Sequence, residues 1–281
     1  MKYEGIIFDW AGTTVDYGCM APVRAFDEAF KSFGIEPTME EIRKPMGMLK
    51  IDHVRTMLQM ERINNLWKEK YNRDWTEDDV QKIYEISERK IFEVLDKYTD
   101  IKPHVLETII EIRNKGLKIG STTGYTSDMM KIVTDRAKQQ GYTPDFWISP
   151  DMVNSKGRPY PYMIFRNMEA LELTSVDKVL KVGDTIADIK EGVNAGIDTV
   201  GIIEGSSLMG LSKEEYEALS EDKKNEMDLK VVSAYQDAGA KYIIRDISGL
   251  LDILKIIHIM FLALFEMRNY NVLCGGAKWT I

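Results

Sequence analysis

The sequence predicts an α/β fold, a parallel sheet covered on both faces and interrupted by an all-helical insertion. Two observations predict it. Short apolar runs alternate with stretches of helical periodicity, the pattern of strands joined by crossover helices. Between the first run and the second, about a hundred residues carry helical patterning alone, more than one crossover helix requires.

The elements follow in order. Ile6-Ile7-Phe8 is a buried strand that stops at Asp9 and opens into the loop Ala11-Gly12-Thr13-Thr14. Helical patterns then run over Pro22 to Phe33, Met39 to Arg43, Leu49 to Met60 and Glu77 to Leu95. Apolar runs resume at Leu117 to Ser121, Phe146 to Ser149, Val179 to Val182, Thr199 to Ile203 and Tyr242 to Ile244. Val105 to Lys115 and Met129 to Gln140 read as helices between them. Gly, Thr, Asp and Pro interrupt the periodicity at Gly12 to Gly18 and Lys97 to Pro103, which mark hinges on entry to and exit from the insertion. We therefore expect a core over 1–17 and 100–258, a helical cap over 18–99, and an unassigned tail over 259–281. An insertion rising from the first strand's loop lies beside the carboxyl ends of the strands, where open α/β sheets bind ligands.

Composition bounds the function. The 281 residues are enough for one large domain or two modest ones, at roughly 150 residues per domain. With 45 acidic against 37 basic residues the formal charge is −8, which disfavours a nucleic-acid surface. Cys19 and Cys274 make no CxxC pair, which fits a reducing compartment. Asp9 cuts the opening apolar run too early for a signal peptide. Asp252, Lys255 and His258 break the apolar stretch Leu250 to Phe265, so no membrane span is expected. A cytoplasmic enzyme with a small local site is the expectation.

Chemistry-bearing residues stand at the strand ends. Asp9 closes the first strand, and the turn Gly12-Thr13-Thr14 after it would present backbone amides to an oxyanion. Val182-Gly183-Asp184-Thr185 repeats the arrangement, with Asp188 one helical turn on. Hard carboxylate oxygens converging in this way suit Mg²⁺ beside a phosphate group. Ser121-Thr122-Thr123-Gly124-Tyr125 offers hydroxyl and amide donors, and Arg158 within Gly157 to Pro161 offers a cation.

Asp9-x-x-Gly-Thr, Thr123-Gly124, Arg158 and Gly183-Asp184-x-x-x-Asp188 resemble the four ordered motifs of the haloacid dehalogenase superfamily. The resemblance implies a Rossmann-like parallel-sheet core of the haloacid dehalogenase type. It also implies Asp9 as the nucleophile on phosphorus, Thr123 and Arg158 as phosphate holders, and Asp184 and Asp188 as supports for Mg²⁺. One position departs from the pattern. Phosphatases of that superfamily place a second Asp two residues after the nucleophile, and here Ala11 stands there. An alkoxide leaving group would then lack its proton donor.

The insertion offers another strategy in Lys44 to His53, where Met46, Lys50 and His53 fall at i, i+4 and i+7, one face of a helix. A lysine amine can condense with an aldehyde, and the protonated imine takes electrons from a bond breaking one carbon away. A carbon fragment then departs from phosphorus as an enamine, with no acid at position 11. The segments Asp9 to Cys19, Arg43 to His53, Ile119 to Thr126 and Gly157 to Pro161 resemble the phosphonatase branch of the superfamily.

That branch implies hydrolysis of phosphonoacetaldehyde, in 2-aminoethylphosphonate degradation, with Lys50 as the Schiff-base lysine. It implies Asp9, Asp184 and the Ala11 carbonyl as Mg²⁺ ligands, with Asp188 behind them. It places Gly12, Cys19, Met46, Gly47, His53, Gly124 and Tyr125 beside the substrate, His53 as a proton shuttle, and the insertion at a homodimer interface. The apolar stripe Val23, Phe26, Phe30 could serve that interface or face the insertion's own core. Two alternatives stand at this point: a phosphatase or phosphomutase acting on a small phosphate ester, and a non-catalytic phosphate-sensing module.

Overall fold

The computed structural model describes residues 2–257 and 259. The tail run Met260-Phe261-Leu262, His258 and Cys274 lie outside them. Six strands make one parallel sheet in the order β3-β2-β1-β4-β5-β6. They are β1 (Gly5–Phe8), β2 (Lys118–Thr122), β3 (Phe146–Ile148), β4 (Val179–Gly183), β5 (Asp198–Ile202) and β6 (Tyr242–Ile244). All residues of β1 and β4 are buried, as expected of strands covered on both faces. The covering helices are α6 (Val105–Asn114), α7 (Ser127–Gln139), α8 (Tyr162–Ala170), α9 (Ile186–Ala195), α10 (Lys213–Glu217) and α11 (Glu221–Ala238), numbered to follow the insertion.

Between β1 and α6 stand five helices, α1 (Met20–Ser32), α2 (Met39–Arg43), α3 (Lys50–Gln59), α4 (Glu61–Tyr71) and α5 (Glu77–Val94). They bury a hydrophobic cluster of their own around Phe26, Phe30, Val54, Leu58, Trp67 and Ile83. Val23, Phe26 and Phe30 point into that cluster and are buried. The stripe is thus spent on the insertion's own core and is not open to a second copy. Capping boxes start α2 (Thr38 with Glu41) and α5 (Thr76 with Asp79), which explains where the chain re-enters a helix after each loop.

The sequence pattern missed α4, α8, α10 and α11. Only Ile63 and Trp67 of α4, and Val231 and Tyr235 of α11, are buried, so neither helix carries the broad apolar stripe that reveals one. The expected common helix face for Met46, Lys50 and His53 is corrected. Helix α3 begins at Lys50, and Met46 lies in the turn before it. Pro45 and Gly47, the latter at φ +85°, interrupt the helix there.

The passages into and out of the helical insertion run side by side. Val15 pairs antiparallel with Ile101, Asp16 N–H donates to the Asp100 carbonyl at 3.1 Å, and Lys102 N–H donates to Thr14 at 3.0 Å. The insertion therefore rises from a short paired ribbon at the carboxyl end of β1. Because β1 lies between β2 and β4, and the chain runs outward from it on either side, this end is the sheet's topological switch point.

Candidate active site

Strand register brings the predicted motifs together. Phe8 stands opposite Ser121 on β2 and Val182 on β4, so Asp9, Thr123 and Asp184 emerge from three adjacent strand ends. A small cavity opens there. Asp9, Ala11, Thr123, Gly124 and Arg158 line it from below, and Cys19, Met46, Gly47 and Lys50 line it from the helical insertion. Tyr125 and Thr185 complete the wall. Ten of these eleven were singled out from sequence. The exception, Thr185, caps α9.

The floor is a buried polar network. Arg158 donates from Nη2 to Asp9 Oδ1 at 2.7 Å and to Thr122 Oγ1 at 2.9 Å, and from Nε to Glu191 Oε2 at 3.1 Å. Its Nη1 lies 3.1 Å from Asp188 Oδ1. Lys181 Nζ donates to Thr122 Oγ1 at 2.9 Å and pairs with Asp188 Oδ1 at 2.9 Å. All these groups are buried. Burial alone would discharge Arg158, but Asp188, Asp9 and Glu191 hold its guanidinium firmly charged. Asp188 shows the converse. Burial works against its charge, yet Arg158 and Lys181 keep its carboxyl below the usual range.

Helix-cap physics places Asp188. At the start of α9 the Thr185 hydroxyl accepts from Asp188 N–H at 3.1 Å and donates to Asp188 Oδ2 at 2.5 Å, a reciprocal cap that fixes the carboxylate.

Asp184 is different. Its oxygens accept from Thr13 Oγ1 at 2.7 Å and from Ser207 N–H at 2.8 Å, with no cation bonded to it among the described residues. Burial, then the charges of Asp9 and Asp188, push its carboxyl well above the usual range. Asp9, Asp184 and Asp188 each offer an oxygen within 4.8 Å of the others. Arg158 and Lys181 pair with Asp9, Asp188 and Glu191, and Asp184, with no ion pair among the described residues, has the field of Lys102 acting against its neighbours' negative charge. The excess of carboxylates over cations and the all-oxygen donor set fit a divalent cation. Asp9, Asp184 and Asp188 are the carboxylates that could hold one, and Ala11 is on the cavity wall. Asp188 is already engaged by Arg158, Lys181 and Thr185.

The roof follows another logic. Lys50 is buried and makes no ion pair or hydrogen bond among the described residues; its Nζ lies 5.0 Å from the centre of the Tyr125 ring and 5.8 Å from that of Phe26. Burial lowers the affinity of its amine for a proton, and the Arg158 charge adds to this, against the pull of Asp9. Cys19, in a left-handed conformation at the start of α1, is a buried free thiol pushed up by burial and by Asp16. It is held protonated.

Two expected substrate neighbours stand back from the cavity. His53 stacks on Phe26 with centroids 3.8 Å apart, and neither ring nitrogen has a partner. Burial, with the Lys50 charge, holds its imidazole neutral. The Gly12 amide donates to the Val15 and Asp16 carbonyls, and those of Thr13 and Thr14 donate to Trp10. The expected free amides are thus consumed in closing the loop. Gly12 matters otherwise: at φ +86°, its missing side chain leaves room for the Asp184 carboxylate.

A family model of haloacid dehalogenase-like hydrolases matches residues 6–202. The chain is 52% identical over 250 residues to the phosphonoacetaldehyde hydrolase of Lysinibacillus sphaericus, covering 89% of this chain and 93% of the relative. The chain belongs to the phosphonoacetaldehyde hydrolase family. It is also 52% identical over 254 residues to a bifunctional phosphonoacetaldehyde hydrolase/aminoethylphosphonate transaminase of Clostridioides difficile. That alignment takes in 90% of this chain but 40% of the longer relative, so only the matching part is comparable. The solved structure of a phosphonoacetaldehyde hydrolase like protein from Oleispira antarctica superposes with a TM-score of 0.88 at 35% identity, covering 92% of this chain and 93% of that one.

Lys181 and Glu191 were not read from the sequence as part of the site. A lysine inside the wholly buried β4, and an acid one turn after Asp188, were the available signals.

Proposed function

We propose that this chain hydrolyses the carbon–phosphorus bond of phosphonoacetaldehyde to acetaldehyde and phosphate, with Asp9 as nucleophile and Lys50 as the imine-forming amine. The observation that carries this reading is Lys50. A buried amine without an ionic partner shares a cavity with a carboxylate and an arginine, and Ala11 stands where an ester-cleaving relative needs an acid.

The steps follow from these residues. Neutral Lys50 Nζ adds to the aldehyde carbon, and one proton delivered to the carbinolamine hydroxyl lets it leave as water and a protonated imine remain. Arg158 and Thr123 hold the phosphonyl oxygens, and Arg158 at 2.7 Å also aligns the Asp9 carboxylate. Asp9 attacks phosphorus as the carbon–phosphorus bond breaks; the bonding pair moves to carbon and on toward the imine nitrogen, giving an enamine on Lys50 and an aspartyl-phosphate on Asp9. Water cleaves the aspartyl-phosphate, while protonation of the enamine carbon and hydrolysis of the imine release acetaldehyde and free Lys50. His53, neutral and one turn along α3, can carry the protons. Mg²⁺ held by Asp9, Asp184 and the Ala11 carbonyl would screen the phosphonyl charge from the incoming carboxylate.

In this reading residues 18–99 are a cap that delivers Lys50 to a core over 1–17 and 100–258, and a homodimer uses the cap's outer faces. The name of the Clostridioides difficile relative supports a place in 2-aminoethylphosphonate degradation. Among the described residues no helix is long and apolar enough to cross a membrane. A cytoplasmic location accords with this. Incubating the protein with phosphonoacetaldehyde should yield acetaldehyde and phosphate in equal amounts, lost on removing Mg²⁺ with a chelator. Phosphate released from sugar phosphates with no acetaldehyde from the phosphonate would overturn the reading.

A further inference from the structure

Arg43 is a cation that this mechanism does not use. Arg43, at the end of α2, makes no ion pair among the described residues and directs Nη1 to two backbone carbonyls, Gly18 at 2.9 Å and Ser207 at 3.1 Å. Gly18 is the point of entry into the helical insertion, while Ser207 lies on the loop after β5. That loop is shaped to receive the guanidinium. Gly210 has φ +72°, and a Cβ there would sit 2.8 Å from Arg43 Nε. Gly18 N–H donates to Gly205 at 2.9 Å, so hinge, loop and arginine form one contact. Ser207 is also the residue whose N–H holds Asp184 Oδ2 at 2.8 Å.

We propose that Arg43 is a positioning residue: it latches the helical insertion onto the core and, through Ser207, sets the orientation of Asp184. Seating the insertion that carries Lys50 and aiming the carboxylate at the floor are then one event, linked across a single residue whose carbonyl faces Arg43 and whose N–H faces Asp184. The link to metal rests on reading Asp184 as a ligand.

The test uses the full chain with Arg43→Gln, Arg43→Lys and Gly210→Ala, each checked for folding by circular dichroism. In metal-free protein, deuterium exchange over 205–211 should rise at least about tenfold in Arg43→Gln, and calorimetric titration with Mg²⁺ alone should give about tenfold weaker binding. Gly210→Ala, which displaces the guanidinium but keeps its charge, should reproduce both changes and serves if Arg43→Gln does not fold. Arg43→Lys should recover part of each. Unchanged exchange, or unchanged Mg²⁺ affinity, in folded variants overturns the proposal. If the parent protein binds no Mg²⁺, the metal reading fails, and the latch stands or falls on exchange alone.

Discussion

The floor and the roof of this cavity solve opposite electrostatic problems within one small volume. On the floor charged groups meet charged partners, with carboxylates in excess of cations. Arg158, Lys181, Asp9, Asp188, Glu191 and Thr122 hold one another in a single ionic network, and Asp184 is held by two neutral donors. On the roof the polar groups are left without partners. Lys50 sits against aromatic rings, His53 against Phe26, and Cys19 is a buried thiol. The lesson is that burial alone does not set a group's state: with partners charge is preserved, as at Arg158, and without them burial works against it, as at Lys50 and His53. A fixed ionic floor suits a phosphonyl group. An amine that gives up its proton more readily suits an aldehyde.

The sharpest way to break this division is to disable each half alone. Lys50→Arg keeps a cation but cannot form an imine, and Asp9→Asn keeps the shape of the nucleophile without its reactivity. Both should lose on the order of 10⁴-fold or more in kcat. They should part company in borohydride trapping: with phosphonoacetaldehyde, Asp9→Asn should still be labelled at Lys50 and Lys50→Arg should not. Labelling of Lys50→Arg at another lysine would remove Lys50 from its role.

The second prediction attacks the matching on the floor. Lys181→Met leaves Asp188 and Glu191 facing Arg158 alone, an uncompensated buried charge, and should cost about 3–5 kcal/mol of stability in denaturant unfolding. Adding Glu191→Leu should restore much of that loss, because it removes the orphaned carboxylate. On the roof the corresponding change should be mild for the fold. His53→Phe removes two unpaired buried nitrogens while retaining the stack on Phe26, so the unfolding midpoint should hold. Activity should fall about 10²-fold, as for loss of a proton shuttle. A parent-like rate would make His53 a packing residue.

The sheet and most of the cavity wall were legible in the sequence for a physical reason. A buried parallel strand must be a continuous apolar run, and a chemistry-bearing residue at its end breaks that run abruptly, as Asp9 and Asp184 do. What escaped notice had no such contrast. Glu191 looks like any helix-surface acid until α9 is docked, and Thr185 reads as a cap, which it is, before it reads as a wall. The amides after Asp9 show the opposite error, since donors that are free in sequence terms were consumed by a turn closing on Trp10. Arg43 illustrates a further gap: its partners are backbone carbonyls from two distant loops, and no side-chain pattern encodes them.

The smallest effect concerns pH and bears directly on the roof. Burial places the Lys50 pKa below its ordinary value of 10.5, so the neutral, nucleophilic fraction at a given pH is larger than for an exposed lysine. Below that lowered pKa the amine is protonated, and the rate of imine trapping should fall tenfold per pH unit as acid is added; above it the rate should level off. The level region should therefore begin below pH 10.5. Tyr125→Leu leaves the amine buried and removes the ring that favours its cationic form, so the plateau should begin at lower pH still. Placing a carboxylate next to the amine, as in Tyr125→Glu, should move the onset the other way by favouring the ammonium form. An onset that ignores both substitutions would show that the amine is governed by solvent rather than by its apolar roof, and the contrast between the two halves of the cavity would fail at its most exposed point.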